Sequence, residues 1–291
     1  MEALQNKEDV MEKNLRDRLI TVFIGVPAVL AMIFFVPYYN YILFSSLVIA
    51  IAVIGTFEMS RMLFGKVVLT AYLAPVLPLI QYLQGVLGLN AQIPDFAFIM
   101  VLLLSFAIEI KTGETDNYTS SLERLSRNAI LVIYPGYFLS FILRLLSLEG
   151  VTSYTIIMYF IMVFGNDIFA YVWGRLFGKN NKGILKVSPN KSVAGYVGSL
   201  LSTIGLSFAC YALFKEHLPY ISVAFRIMLG VGISISANIG DLIESVFKRS
   251  AGVKDSGNIF PGRGGALDSL DSEISSAPIF FIVFSMILEA V

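Results

Sequence analysis

Histidine, cysteine and tryptophan each occur once in the 291 residues, and only 14% of the chain is charged. The single histidine, His217, sits between two apolar runs, which argues against a histidine-based metal site and against a Ser-His-Asp triad. Cys210 lies inside an apolar run; it has no partner for an intramolecular disulfide and reads as a packing residue. The 21 Lys and Arg cancel the 21 Asp and Glu, so no bulk field argues for a nucleic-acid partner. There is no Walker A sequence and no dinucleotide glycine fingerprint following a strand. No small-residue cleavage site follows the first apolar run, from Leu19, so that run is expected to be a retained helix. No internal repeat or low-complexity linker is evident.

What the chain has in abundance is long apolar runs. It is 56% hydrophobic, with a mean hydropathy of +0.76. Soluble domains carry about 25% charged residues, and runs of about 18 apolar residues or more read as membrane helices. The expected fold is an all-α polytopic membrane protein of about nine transmembrane helices, at 19–36, 41–57, 67–83, 94–110, 128–147, 152–173, 193–214, 219–240 and 274–291. Pro75 and Pro78 predict a kink or a re-entrant path in the third. Lys and Arg crowd the loops before the first segment and after the second, fourth, sixth and eighth, whereas the opposite loops hold only Lys215. That bias places the N-terminus in the cytoplasm and the C-terminus outside. Three regions follow: a polar N-terminal segment 1–18, N-terminal helices over 19–110, and a catalytic region over 111–291 with cytoplasmic loops 174–192 and 241–273.

The second of those loops is the most charge-dense stretch. Asp241, Glu244, Ser245 and Lys248 fall at i, i+3, i+4 and i+7, one helix face. Extended backwards, the face takes in Ser234 and Asn238, so a polar stripe climbs out of an apolar run. Arg249, Lys254 and Asp255 follow, then Pro261-Gly262-Arg263-Gly264-Gly265. Asp268 and Asp271, at i and i+3, precede the last apolar run. Glycines let backbone N–H groups approach a ligand. Magnesium takes one or two protein carboxylates and completes its shell with phosphate and water. Upstream, Asp167 shares a helix face with Tyr171, Gly174 and Gly178, with Arg175, Lys179 and Lys182 close behind. An ionised carboxylate near the bilayer centre costs about 2.5–3.5 kcal/mol; helix packing, snorkelling and a functional role all account for one near the edge. In Ser188-Pro189-Asn190-Lys191-Ser192, Ser192 is expected to cap the next helix, and Lys191 would strengthen an anion site there. A cap beside an ordinary cytoplasmic lysine explains the same residues. Carboxylates, cations and glycines at one membrane boundary point to phosphate and metal chemistry. An ion-coupled transporter would instead show charges along a midplane path and pseudo-symmetric halves.

The run Ser245-Val246-Phe247-Lys248-Arg249, then Lys254-Asp255-Ser256-Gly257, Pro261-Gly262-Arg263-Gly264-Gly265 and Asp268-Ser269-Leu270-Asp271, resembles the signature of the phosphatidate cytidylyltransferases, or CDP-diacylglycerol synthases. DIFAYVWGRLFGK from Asp167 and SPNKSVAG from Ser188 resemble family stretches that precede it. The likeness covers roughly residues 160–275. The family usually has histidine in place of Arg263, arginine in place of Ser269, and Trp-Glu in place of Val193-Ala194. The resemblance implies that CTP and phosphatidate give CDP-diacylglycerol and pyrophosphate, with Mg²⁺ and room for a second cation. It implies Asp241, Asp268 and Asp271 as catalytic metal ligands, with Lys248 and Arg249 as catalytic cations. Substrate would be bound by Asp167, Arg175, Ser188, Lys191, Ser192, Glu244, Ser245, Lys254, Asp255, Gly262, Arg263, Gly264 and Gly265. The partners would be CTP, phosphatidate and bilayer lipid; a homodimer is compatible, though no residue points to one. The expected location is a bacterial inner membrane with the site on the cytoplasmic side. A CTP-dependent kinase of a polyprenol or phytol would share helices, carboxylates and nucleotide, and would differ in its products.

Overall fold

The structure is a computed structural model and describes residues 24–260, 262 and 264–290. The polar segment 1–18 and the start of the first apolar run lie outside the described residues. Helices follow one another throughout: α1 (Ile24–Phe35), α2 (Tyr38–Phe64), α3 (Thr70–Leu73), α4 (Val76–Leu87), α5 (Ile93–Gly113), α6 (Ser121–Leu131), α7 (Leu139–Leu146), α8 (Ser153–Phe177), α9 (Val193–Phe214), α10 (Val223–Ala251) and α11 (Ala266–Glu289). Among the described residues the only β pairing is two isolated bridges, Lys182 with Ser192 and Phe260 with Gly264. Among the described residues eight helical spans are long and apolar enough to cross a membrane; α3 with α4 makes one of them, and α6 with α7 another. This is an all-α polytopic membrane protein.

The expected break in the third segment falls between α3 and α4, where Pro75 precedes Val76 and has no N–H to give. Pro135 has a similar effect between α6 and α7, where Val132–Phe138 widens into a π-helical stretch. The charges that sequence left unassigned inside segments are paired or stacked. Arg124 grips Glu109 and Asp116, Arg144 pairs with Asp95 at 2.8 Å, and Arg226 lies over the rings of Phe208 and Tyr211.

Two expected loops are shorter than hydropathy suggests. Helix α8 continues to Phe177, and α10 runs on through Asp241, Glu244 and Lys248 to Ala251 before Gly252 closes it at φ 68°. The connections are therefore 178–192 and 252–265 in place of 174–192 and 241–273. A helix stops where its hydrogen-bond ladder is capped, not where its side chains cease to be apolar.

Helices α8, α9, α10 and α11 form one bundle, and the larger hydrophobic core joins it to α2: Phe44, Val48 and Met59 are buried in the same cluster as Leu267, Phe280 and Phe284. The C-terminal ends of α2, α8 and α10 meet the N-terminal ends of α9 and α11. His217 lies at the other end of the bundle, stacked on Tyr154 at the start of α8 with ring centroids 4.0 Å apart. The α8–α9 crossing is close because small residues line it. A Cβ added to Gly195 would lie 2.8 Å from the Ala170 carbonyl oxygen. Gly195→Ala is expected to cost about 1–3 kcal/mol by overpacking, read as a lower thermal unfolding midpoint in detergent. An unchanged midpoint would mean the two helices have slack there.

Candidate active site

Deep in the bundle a polar knot replaces apolar packing. Asn166 is fully buried, and its Oδ1 accepts from Ser234 Oγ at 2.8 Å, Thr203 Oγ1 at 3.2 Å and Asn238 Nδ2 at 3.5 Å. Asn238 Nδ2 also reaches Ser199 Oγ at 3.2 Å. One amide thus ties α8 to α9 and α10, as buried polar groups require. Its own Nδ2 donates to Asp167 Oδ1 at 3.3 Å, and the Ser272 hydroxyl of α11 donates to the same oxygen at 3.2 Å. The Asp167 carboxylate is therefore oriented from behind by two helices.

In front of it opens a cavity of about 690 Å³, lined by Asp167, Tyr171, Arg175, Lys182, Ser188, Lys191, Ser192, Tyr196, Asn238, Asp241, Asp268, Asp271 and Ser272, among others. Ser192 caps α9 as expected, its oxygen accepting from Gly195 N–H at 3.1 Å. Lys191 leans across to pair with Asp241 of α10. Burial pushes the Lys191 ammonium below the usual lysine range, while Asp167 and Asp271 pull it back up.

Asp268 and Asp271 do not play the same part, although their spacing would put them on one face of an unbroken helix. The backbone of α11 leaves helical geometry at Leu270 (φ −134°, ψ 15°), between them. Asp268 is turned to the protein: Oδ2 accepts from Ser256 N at 2.7 Å, Gly265 N at 2.8 Å and Ser256 Oγ at 3.0 Å, and Oδ1 takes Lys248 Nζ at 2.7 Å. Among the described residues, Asp271 Oδ1 accepts its neighbour's amide, Ser272 N, at 2.6 Å and no other hydrogen bond.

The remaining expected residues divide by position. Glu244 is fully buried and pairs with Lys248 at 2.5 Å, so these two stand behind Asp268 and not in the cavity lining. The amides of Gly264 and Gly265 are used internally: Gly264 N–H donates to Phe260 O at 3.1 Å and Gly265 N–H to Asp268. Gly264 is there for its backbone, at φ +100°. Ser245 and Gly262 are outside the lining, Arg249, Lys254 and Asp255 are exposed beyond it, and Arg263 lies outside the described residues.

Sequence reasoning missed Asn166, Ser272 and Glu58 as site-building residues. The signal for Asn166 was available, since a second polar residue beside Asp167 in an apolar run is costly. Glu58 gave none beyond its place at the end of one.

Among the described residues no three Asp, Glu, His or Cys side chains converge closely enough to form a metal site unaided. Of the four carboxylates that line the cavity, Asp268 is engaged by the protein; the other three are Asp167, Asp241 and Asp271, with Lys191 paired to Asp241 and within electrostatic reach of the other two. That set of hard oxygens with excess negative charge fits magnesium, whose shell is completed by phosphate and water.

Known proteins resemble this chain along nearly its whole length. The phosphatidate cytidylyltransferase of Bacillus subtilis (strain 168) is 26% identical over 283 residues, covering 94% of this chain and 98% of that protein. The Haemophilus influenzae phosphatidate cytidylyltransferase is 30% identical over 295 aligned residues, covering 94% of this chain and 100% of its own length. That of Thermotoga maritima is 36% identical over 165 residues, covering 56% of this chain and 60% of the relative. A model of the cytidylyltransferase family matches residues 16–287, and with that span and the full-length relatives the chain belongs to this family.

Proposed function

We propose that this chain transfers the cytidylyl group of CTP to phosphatidate, releasing pyrophosphate and leaving CDP-diacylglycerol in the membrane. The observation that carries this reading is the cavity in which Asp167, Asp241 and Asp271 share one lining with Arg175, Lys182 and Lys191. Its closest support outside the chain is that full-length relatives are phosphatidate cytidylyltransferases.

In this reaction a phosphate oxygen of phosphatidate attacks the α-phosphorus of CTP. The bond from that phosphorus to the β-phosphate oxygen breaks, and pyrophosphate leaves with the electron pair. Both reactants are anions, so the protein must offset repulsion and hold the two in line. No strong general base is required, because the attacking phosphate is already ionised. Arg175, Lys182 and Lys191 are assigned to the triphosphate, with Ser188 beside them. Mg²⁺ would be held by Asp167, Asp241 and Asp271, and would screen the phosphate charge while polarising the α-phosphoryl group. Asp268, expected as a ligand from sequence, is assigned here to holding the 252–265 connection, because its oxygens are already engaged. Arg249 and Lys254, exposed outside the cavity, are assigned to electrostatic attraction of the nucleotide.

Tyr171, Leu176, Val193 and Val197 are all exposed around this end of α8 and α9. Such a surface suits acyl chains that stay in the bilayer while the headgroup enters sideways. The distribution of Lys and Arg assigns this end of the bundle to the cytoplasm, where CTP is, and the relatives suggest a bacterial plasma membrane.

The test uses purified protein, phosphatidate, Mg²⁺ and CTP labelled at the α-phosphate in one arm and the γ-phosphate in the other. Label from the α position is expected in the lipid, with pyrophosphate released. Label from the γ position entering an added lipid alcohol would make the protein a kinase instead. No transfer in either arm would overturn the assignment.

A further inference from the structure

The signature of this chain is confined to the C-terminal half, yet its connecting loop is held by a residue of the N-terminal half. Glu58 of α2 is 3% exposed. Its Oε1 accepts from Ala266 N–H at 3.0 Å, and its Oε2 from Leu267 N–H at 3.1 Å and Ser256 Oγ at 3.1 Å. Ala266 and Leu267 open α11, where amides have no partner within the helix and a carboxylate is favoured by the helix dipole. Glu58 therefore caps, from more than 200 residues away in sequence, the helix that carries Asp268 and Asp271.

The Ser256 hydroxyl completes the link. It lies 3.1 Å from Glu58 Oε2 and 3.0 Å from Asp268 Oδ2, with a single proton to share between them. Through Asp268 the chain of contacts passes to Lys248 and Glu244. Two glycines make room for it: a Cβ on Gly257 would overlap the Glu58 carboxyl group, and one on Gly265 would overlap both Ser256 Oγ and Glu58. These glycines are explained by a carboxyl group that the motif does not contain.

We propose that Glu58 is a positioning residue for the cytidylyl-transfer site. It fixes the start of α11 and the 252–265 connection, and so sets where Asp271 stands in the cavity. This role rests on the function proposed above. It also gives the N-terminal helices a task, since α2 backs the start of α11 and the 252–265 connection and is not only a membrane anchor.

The decisive variant is Glu58→Gln in the full chain. Glutamine keeps the length but replaces one of two oxygens in use with an NH₂ group that faces donors. Hydrogen exchange should accelerate in the peptide spanning 256–268 and not in α9 or mid-α10. The kcat of α-label transfer should fall by about 10-fold to 100-fold, as for a group that orients a first-contact residue, with KM for CTP changed less than about 3-fold because the triphosphate cations lie on other elements. Glu58→Asp, one methylene shorter, should not restore the rate. Faster exchange with wild-type kcat would overturn the proposal, as would unchanged exchange and rate. If exchange rises throughout the protein, Ser256→Ala decides: it removes the hydroxyl that Glu58 and Asp268 share and leaves Glu58 on the amides of Ala266 and Leu267, and wild-type kcat there overturns the role. Absence of transfer by the parent protein would sink the reaction assignment and this role with it; transfer by parent and variant alike would sink only the role of Glu58.

Discussion

Asp271→Asn is expected to lower kcat for cytidylyl transfer by on the order of 10³-fold while leaving the fold intact, a loss of the size seen when a group stabilising the reacting charge is removed. The backbone at this position is secured independently of the carboxylate, because Tyr134 Oη donates to the Asp271 carbonyl oxygen at 3.3 Å. Among the described residues the side chain accepts one hydrogen bond, from Ser272 N–H at 2.6 Å, and an asparagine oxygen can accept that bond equally. Asparagine also keeps the volume. What disappears is the negative charge on the cavity wall, with the capacity to hold a divalent cation against phosphate. Single-turnover transfer from α-labelled CTP measures the effect, and the unfolding midpoint in detergent serves as the structural control. If the variant kept more than about a tenth of the parent rate, a size appropriate to an outer contact, Asp271 would have to leave the cation-holding set. Raising Mg²⁺ should recover little, because a missing ligand weakens affinity and misplaces the ion together.

How much of this could be read beforehand follows from the range of each interaction. The polar stripe Ser234, Asn238, Asp241 was legible because its members sit one helical turn apart, and the structure puts Ser234 and Asn238 on the buried Asn166 and Asp241 in the cavity. The Ser192 cap was legible for the same reason, being bonded to Gly195 three residues on. Spacing brought Asp268 and Asp271 to one cavity, whose lining holds both, but not to one helix face, since i and i+3 share a face only if the helix between them is unbroken, and Leu270 breaks it. Two of the glycines, Gly264 and Gly265, do not offer free amides to a ligand, because theirs satisfy the protein's own carbonyl and carboxylate groups. Glu58 was invisible because its partners are Ser256, Ala266 and Leu267, and no local pattern encodes a bond across that separation. The family motif identified which residues gather at the cavity end of the bundle; only the packing of α2 and α8 against α10 and α11 separates those that line the cavity from those that hold its wall.

That separation gives Lys248 an unusual expected phenotype. The family resemblance casts it as a catalytic cation facing the substrate, but its ammonium lies 2.5 Å from Glu244 Oε2 and 2.7 Å from Asp268 Oδ1. The side chains are 19% exposed for Lys248, 0% for Glu244 and 5% for Asp268, so water screens this group little. Lys248→Met would keep the aliphatic stem and remove the only cation paired with either carboxylate among the described residues. Breaking a buried pair from one side typically costs about 3–5 kcal/mol, because the charge left behind is uncompensated. The variant should therefore unfold at a clearly lower temperature and lose activity as a consequence. Adding Glu244→Gln should return much of the lost stability, since one buried carboxylate is then replaced by a neutral amide; the two substitutions share a contact, so their effects should not add. A nucleotide-binding lysine would behave otherwise. Its loss would raise KM for CTP at an unchanged unfolding midpoint, and Glu244→Gln would not compensate. Thermal unfolding of the two single variants and the double variant, set beside their KM for CTP, decides whether Lys248 faces the substrate or, as its contacts indicate, holds together the wall against which the substrate is bound.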